Sequence, residues 1–146
     1  MGEPSIARVS VESIRNVQVR VTAGDHAWVA DEPVEVGDGL GPGPYDLLLG
    51  ALGSCMIMTL LLYARRKKWA LERVEVDIQH DRVYADDTVR VEEKGGLVER
   101  FQIDLVLHGD LDDAQIERLS DISMRRPVRK TLAATHVFAE SVRRAN

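Results

Sequence analysis

The chain has 146 residues, 45% of them hydrophobic and 29% charged, with a net charge of −5. That length suffices for one domain with its own core, and the mildly acidic balance excludes a dedicated nucleic-acid binder. The single cysteine, Cys55, excludes an intrachain disulfide and any cysteine-rich metal site. The opening residues MGEPSIARVS hold no apolar run of the kind a secretory signal needs, and Ile6 stands where myristoylation prefers Ser or Thr. One domain over residues 1–146 in the cytoplasm is the expectation.

Residues 6–23 alternate loosely, and 17–23 reads as a strand with Val17, Val19 and Val21 on one face. Gly24-Asp25 predicts a turn into a second strand over 26–31, completing a hairpin. After Pro33, Val34 and Val36 point to another short strand. The glycine-rich stretch 37–44 reads as a conformational loop, since no Lys-Ser/Thr pair follows to make it a phosphate-binding one.

The run from Gly41 to Trp69 organises the rest. Gly-Pro-Gly-Pro sets a turn and places Pro44 at the first helical position, where a missing N–H costs nothing. Leu47 to Ala64 carries no charge, and the basic run Arg65-Arg66-Lys67-Lys68 closes the helix at the negative end of its dipole. A helix apolar on every side must be enclosed by protein or by lipid. Eighteen such residues would span about 27 Å, just short of a bilayer core. Gly50, Gly53, Ser54 and Thr59 weaken an isolated span, so a helix buried centrally in a soluble fold is preferred. Gly50, Gly53 and Ser54 would then let neighbouring backbone approach Cys55.

Beyond the helix, 74–86 alternates as a long strand with Val74, Val76 and Ile78 on one side. Residues 86–96 form a charged hairpin connection, and 97–109 returns as a strand with Phe101, Ile103, Leu105 and Leu107 aligned. A helix is predicted over 110–126, N-capped by Asp110 or Asp112, with Ile116, Leu119 and Ile122 or Ser123 inward. Pro127 ends it, a turn covers 128–133, and 135–142 closes the chain as a strand. Hairpins with helices inserted between them define an α+β class.

Several motifs in this order resemble those of the osmotically inducible protein C and organic hydroperoxide resistance (OsmC/Ohr) family, over nearly the whole chain. They are Gly24 and His26 with Ala30-Asp31-Glu32-Pro33, then Gly41-Pro42 and Pro44-Tyr45-Asp46-Leu47-Leu48. Ala51-Leu52-Gly53-Ser54-Cys55, Met58-Thr59 and Gly109-Asp110-Leu111 continue the match, which is nearer the broad OsmC-like branch than Ohr proper. The resemblance implies antiparallel sheets wrapped around a buried central helix in an intertwined homodimer. It also implies a thiol-dependent peroxidase for organic hydroperoxides, in which Cys55 matches the attacking cysteine. The resolving cysteine of the family's Cys-Pro-Val motif is replaced, because the chain reads Arg126-Pro127-Val128. Tyr45 falls where Ohr-type proteins carry a carboxylate, with Asp46 one place later, and no arginine lies between Arg20 and Arg65.

A mid-helix cysteine gains little from the dipole, and burial among leucines and methionines disfavours its thiolate. It becomes a nucleophile only with a cation close by. Two positions able to form a disulfide have Cα atoms within roughly 7 Å, so Arg126, at the second of them, is within reach of Cys55. Arg126 is the candidate for stabilising the thiolate, and peroxide would then yield a sulfenic acid that an external thiol must reduce. Against this, Cys55 reads equally as a small hydrophobe, and Arg125, Arg126, Arg129 and Lys130 as a solvated face. If that cluster lines a cleft, it suits an anionic tail such as a carboxylate or phosphate.

Tyr45, Asp46 and Met58 are the candidate substrate-binding residues. Asp46 also suits the helix dipole, and Met58 also suits core packing. His26 is expected to hydrogen-bond Asp31 or backbone rather than a metal, and His80, His108 and His136 show no reason to cluster. No cofactor, metal, nucleic acid or membrane is expected as a partner. Three functional readings remain: a one-cysteine peroxidase with an external thiol reductant, a redox-inactive dimer binding a small hydrophobic or acidic ligand at its interface, or a dimeric scaffold with no ligand.

Overall fold

In a computed structural model, residues 6–84 and 96–145 are described. The chain divides after Gly50 into two compact units, the first ending at Gly50 and the second beginning at Ala51. The connection expected over 86–96 lies, apart from Gly96, outside the described residues.

The first unit holds a three-stranded antiparallel sheet in the order β1 (Ser10–Ser13), β2 (Val19–Ala23), β3 (His26–Ala30). β2 and β3 are joined by the expected two-residue turn, with Ala23 opposite His26 and Gly24 at φ 59°, a conformation glycine adopts without strain. Val34 and Val36 form no strand. Pro33 instead starts a turn whose carbonyl accepts from the amides of Val36 (2.9 Å) and Gly37 (2.7 Å), leaving both valines exposed.

Asp31 anchors this loop. Its buried carboxylate accepts from the amides of Glu32 (2.8 Å), Asp38 (3.2 Å) and Leu40 (3.1 Å), and a side chain at Gly37 would collide with it. Burial pushes the Asp31 pKa up, but the three amides outweigh it and hold the carboxyl below the usual 3.8. A folded value below the unfolded one gives stability that is present above about pH 4 and lost as the pH falls through the folded value. Asp31→Asn is therefore expected to lower the melting temperature strongly at neutral pH and much less near pH 2. Thermal melts of both proteins at the two pH values check this, and equal losses would contradict it.

α1 (Pro44–Lys67) straddles the two units and starts, as the sequence indicates, at Pro44. Asp46 Oδ2 accepts from the Gly43 amide (2.9 Å) in its first turn, and Lys68 leaves the helix at φ 59°. In the second unit, β4 (Ala70–Tyr84) and β5 (Leu97–Asp110) form a long antiparallel hairpin from Ala70 opposite Asp110 to Tyr84 opposite Leu97. Its apolar residues alternate as predicted, Val74, Val76 and Ile78 on β4 and Phe101, Ile103, Leu105 and Leu107 on β5.

From Leu52 on, α1 presents Leu52, Met56, Leu60 and Ala64 to the interior at the four-residue spacing of one helix face. Leu60, Val74 and Leu119 make the centre of the core, with Leu105, Leu107 and Ile122 around them. Gly53 lets α1 approach β4, since an added Cβ would stand 3.2 Å from Val76 and 3.3 Å from Ile78. The neighbours are side chains rather than the backbone expected, and around Gly50 there is open space. On the other face of the helix, among the described residues, Met58 and Leu62 are about 60% exposed. α1 is long and apolar enough to cross a membrane by length and composition, yet its inner face is that of a core helix.

α2 (Asp113–Ser123) is shorter than the predicted helix and is capped by Asp112, not Asp110. Asp112 Oδ1 accepts from the Gln115 amide at 2.8 Å, and Gln115 Oε1 accepts from the Asp112 amide at 3.0 Å, a reciprocal capping box. Pro127 does not merely end a helix: it begins α3 (Pro127–Ala133), where a turn was expected, because its fixed φ suits a first helical position. Residues 135–142 are likewise not a strand. Alternation favours an extended chain, but no strand of the described chain pairs with it, and Val137, Phe138 and Val142 stay exposed.

Candidate functional site

Cys55 is a free, half-buried thiol in α1. It lies at the edge between the packed face that includes Met56 and the open face that includes Ser54 and Met58. The local sequence explains why Arg126 points inward. α2 stops at Ser123, and the Met124 and Arg125 amides donate back to Asp121 and Ile122. Arg126 precedes a proline, which excludes helical backbone, and it adopts φ −83°, ψ 157°. Arg125 reaches outward to Asp121 (3.1 Å), while Arg126 on the other side of this corner is only 2% exposed.

A buried guanidinium ordinarily finds an anion. Arg126 Nε has no hydrogen-bond partner, and no ion pair or side-chain hydrogen bond holds this residue among the described residues. Burial pushes its pKa down, the like charge of Arg129 adds to that, and the attraction of Cys55 acts in the opposite sense. The guanidinium stays protonated nonetheless. The basic cluster is thus not a uniform solvated face. Arg126 lies in the protein, while Arg129 is exposed and donates to the Met124 carbonyl at 3.1 Å.

The other candidate residues are placed as follows. Tyr45, half-exposed, and Asp46, which caps α1, belong to the first unit. Met58 lies one turn after Cys55 on the open face. His26 makes no hydrogen bond to Asp31, whose described bonds all come from backbone amides. His80 pairs with Glu99, His108 with Glu75 (2.7 Å) and His136 with the Thr131 carbonyl, each separately. Among the described residues no three His, Cys, Asp or Glu side chains gather as a metal site.

One cluster was not foreseen. The Tyr63 hydroxyl accepts from Arg118 Nε at 3.1 Å, and Arg66 stands 5.3 Å from its ring centre. The Arg118 hydrogen bond, reinforced by the surrounding charges, holds the phenol below its ordinary pKa. Fifty-five positions separate the two residues, and no local pattern signals their meeting.

An OsmC-like protein family model matches residues 37–140, and the chain belongs to this family. Its fold is shared by an OsmC-like protein from Mycoplasma pneumoniae, 18% identical with a TM-score of 0.70, covering 90% of this chain and 89% of that one. An organic hydroperoxide resistance protein OsmC from Legionella pneumophila is 17% identical with a TM-score of 0.62, covering 90% and 91%. The organic hydroperoxide resistance protein OhrB of Bacillus subtilis is 16% identical with a TM-score of 0.57, covering 87% and 90%. No curated relative matches the chain significantly.

Proposed function

We propose that this protein is a thiol-dependent peroxidase for organic hydroperoxides, working through Cys55 with an external thiol as reductant. The observation that carries the reading is the buried Arg126 guanidinium, which has no hydrogen-bond partner at Nε. A fixed positive charge placed beside a cysteine sulfur is the general means by which proteins make the nucleophilic form available, and Arg126 is the cation proposed for that role. The thiolate attacks the terminal oxygen of the hydroperoxide, the O–O bond breaks, and the alkoxide leaves and is protonated to an alcohol. Cys55 becomes a sulfenic acid. With no second cysteine in the chain, one external thiol condenses with it and releases water. A second thiol then displaces the mixed disulfide and restores Cys55.

In this reading residues 1–146 act as one cytoplasmic OsmC-like domain in an intertwined homodimer. The partner would cover Met58 and Leu62, completing the enclosure of α1. Met58 is the proposed apolar lining of the substrate site, and Tyr45 and Asp46 are proposed as further substrate-binding residues. The missing resolving cysteine favours a second reading, a redox-inactive protein binding a small hydrophobic or acidic ligand at the same interface.

One experiment separates them. Exposed to excess cumene hydroperoxide, the protein is expected to gain one oxygen atom at Cys55, seen by intact mass and reversed by dithiothreitol. No gain in mass would leave the binding reading.

A further inference from the structure

Three cations meet at Tyr63. Arg66 and Lys67 follow it on α1 at i+3 and i+4, the spacing that places side chains on one helix face. The Arg66 guanidinium carbon lies 5.3 Å from the centre of the Tyr63 ring, and the Lys67 ammonium 5.9 Å. Arg118 reaches the same ring from α2, its guanidinium carbon at 5.8 Å and its Nε donating to the hydroxyl at 3.1 Å. An aromatic ring attracts such cations but neutralises none of them. Asp121, 3.4 Å from Arg118, is shared with Arg125. Among the described residues no carboxylate pairs with Arg66 or Lys67.

A hydroxyl that accepts from Arg118 keeps its own proton to donate. No acceptor among the described residues takes that proton. The ring is fixed edge-on to Trp69, centroids 5.5 Å apart, and both pack against the core around Leu60. Arg66 and Lys67 are exposed and the Arg118 side chain is 46% exposed, so the group is open to solvent. A positioned O–H donor is thus flanked by three accessible cations with one shared counter-charge.

We infer that Tyr63, Arg66, Lys67 and Arg118 form a binding site for the phosphate of a monoester. Such a phosphate brings three terminal oxygens and a charge of about −1.5 to −2, which suits several donors and an excess of positive charge. A carboxylate, with two oxygens and one charge, leaves part of the group unused. The planar fork of arginine fits phosphate oxygens, and lysine adds a point charge. A soluble phosphate ester and a lipid headgroup offer the same chemistry. The site uses neither Cys55 nor Arg126, so its test is independent of the peroxidase reading.

Phenyl phosphate, titrated at low ionic strength and followed by phosphorus NMR, is expected to bind, with benzoate displacing it only at about tenfold higher concentration. Tyr63→Phe keeps the ring and loses the donor, while Arg66→Gln removes one cation. Each is expected to weaken binding about tenfold. Arg65→Gln removes the same charge from the same basic run at i+2, which does not face Tyr63, and should weaken binding about twofold at most. Phosphatidylcholine vesicles doped with phosphatidic acid, a monoester, or with phosphatidylglycerol, a diester, separate the sources. Preference for the monoester vesicles, lost in Arg66→Gln, assigns a lipid headgroup. Binding of phenyl phosphate without that preference assigns a soluble ligand. Failure of both probes overturns the site, as does displacement by benzoate at equal concentration. Equal losses in Arg65→Gln and Arg66→Gln also overturn it, being the mark of diffuse attraction to the basic run.

Discussion

Arg126→Met is expected to slow oxidation of Cys55 by cumene hydroperoxide at neutral pH by about tenfold or more, without destabilising the fold. On the proposed reading the rate falls because the Arg126 charge is gone, and a tenfold loss corresponds to about 1.4 kcal/mol. Stability behaves differently. A buried polar group with no partner costs about 1–3 kcal/mol, and methionine fills similar space along the side-chain stem without that cost. The melting temperature should therefore hold or rise, against the general trend for changes at a position only 2% exposed. Stopped-flow or intact-mass kinetics give the rate, and a thermal melt gives the stability. A rate unchanged within twofold would remove Arg126 from the chemistry, and a large loss of stability would show that its burial is compensated after all.

Leu60→Ala is expected to cost about 2–5 kcal/mol. Leu60 has no exposed surface and sits between Val74 on β4 and Leu119 on α2, the latter equally buried. Truncation loses the transfer free energy of the side chain and leaves a cavity that a helix pinned to β4 at Gly53 cannot easily close. Denaturant unfolding with an unchanged m-value would report this as a shift of the midpoint. At Leu62, two residues on, the side chain is 59% exposed, so within a single chain its truncation should cost far less.

Patterns of period two and of helical period carried much of the fold. The long hairpin, the alternation on both its strands, the β2–β3 turn and the start of α1 at Pro44 were all legible, because each is set by local chemistry. What escaped were decisions made elsewhere. Val34 and Val36 have strand-forming side chains, but Pro33 and the amides gathered by Asp31 hold that segment as a turn and loop. Residues 135–142 alternate correctly and still form no strand, since a strand requires a neighbour as well as a pattern. Pro127 served as a helix start rather than a stop, which its φ permits equally well.

The site divides in the same way. Cys55 is conspicuous as the single cysteine in the most apolar run, and Arg126 drew attention only through the motif in which it stands. That its side chain turns inward follows from the residue being both past the end of α2 and before a proline. Arg125 and Arg129, alike in composition, lie toward solvent, so counting charges could not separate the three. The Tyr63–Arg118 contact joins α1 to α2 through tertiary packing alone.

The central claim is that the Arg126 charge makes Cys55 a nucleophile, and the rate of Cys55 alkylation by the neutral reagent iodoacetamide at neutral pH tests it most directly. The account predicts that Arg126→Met, folded as judged by its melt, reacts about tenfold more slowly than the native protein. Equal rates in the two proteins would contradict it.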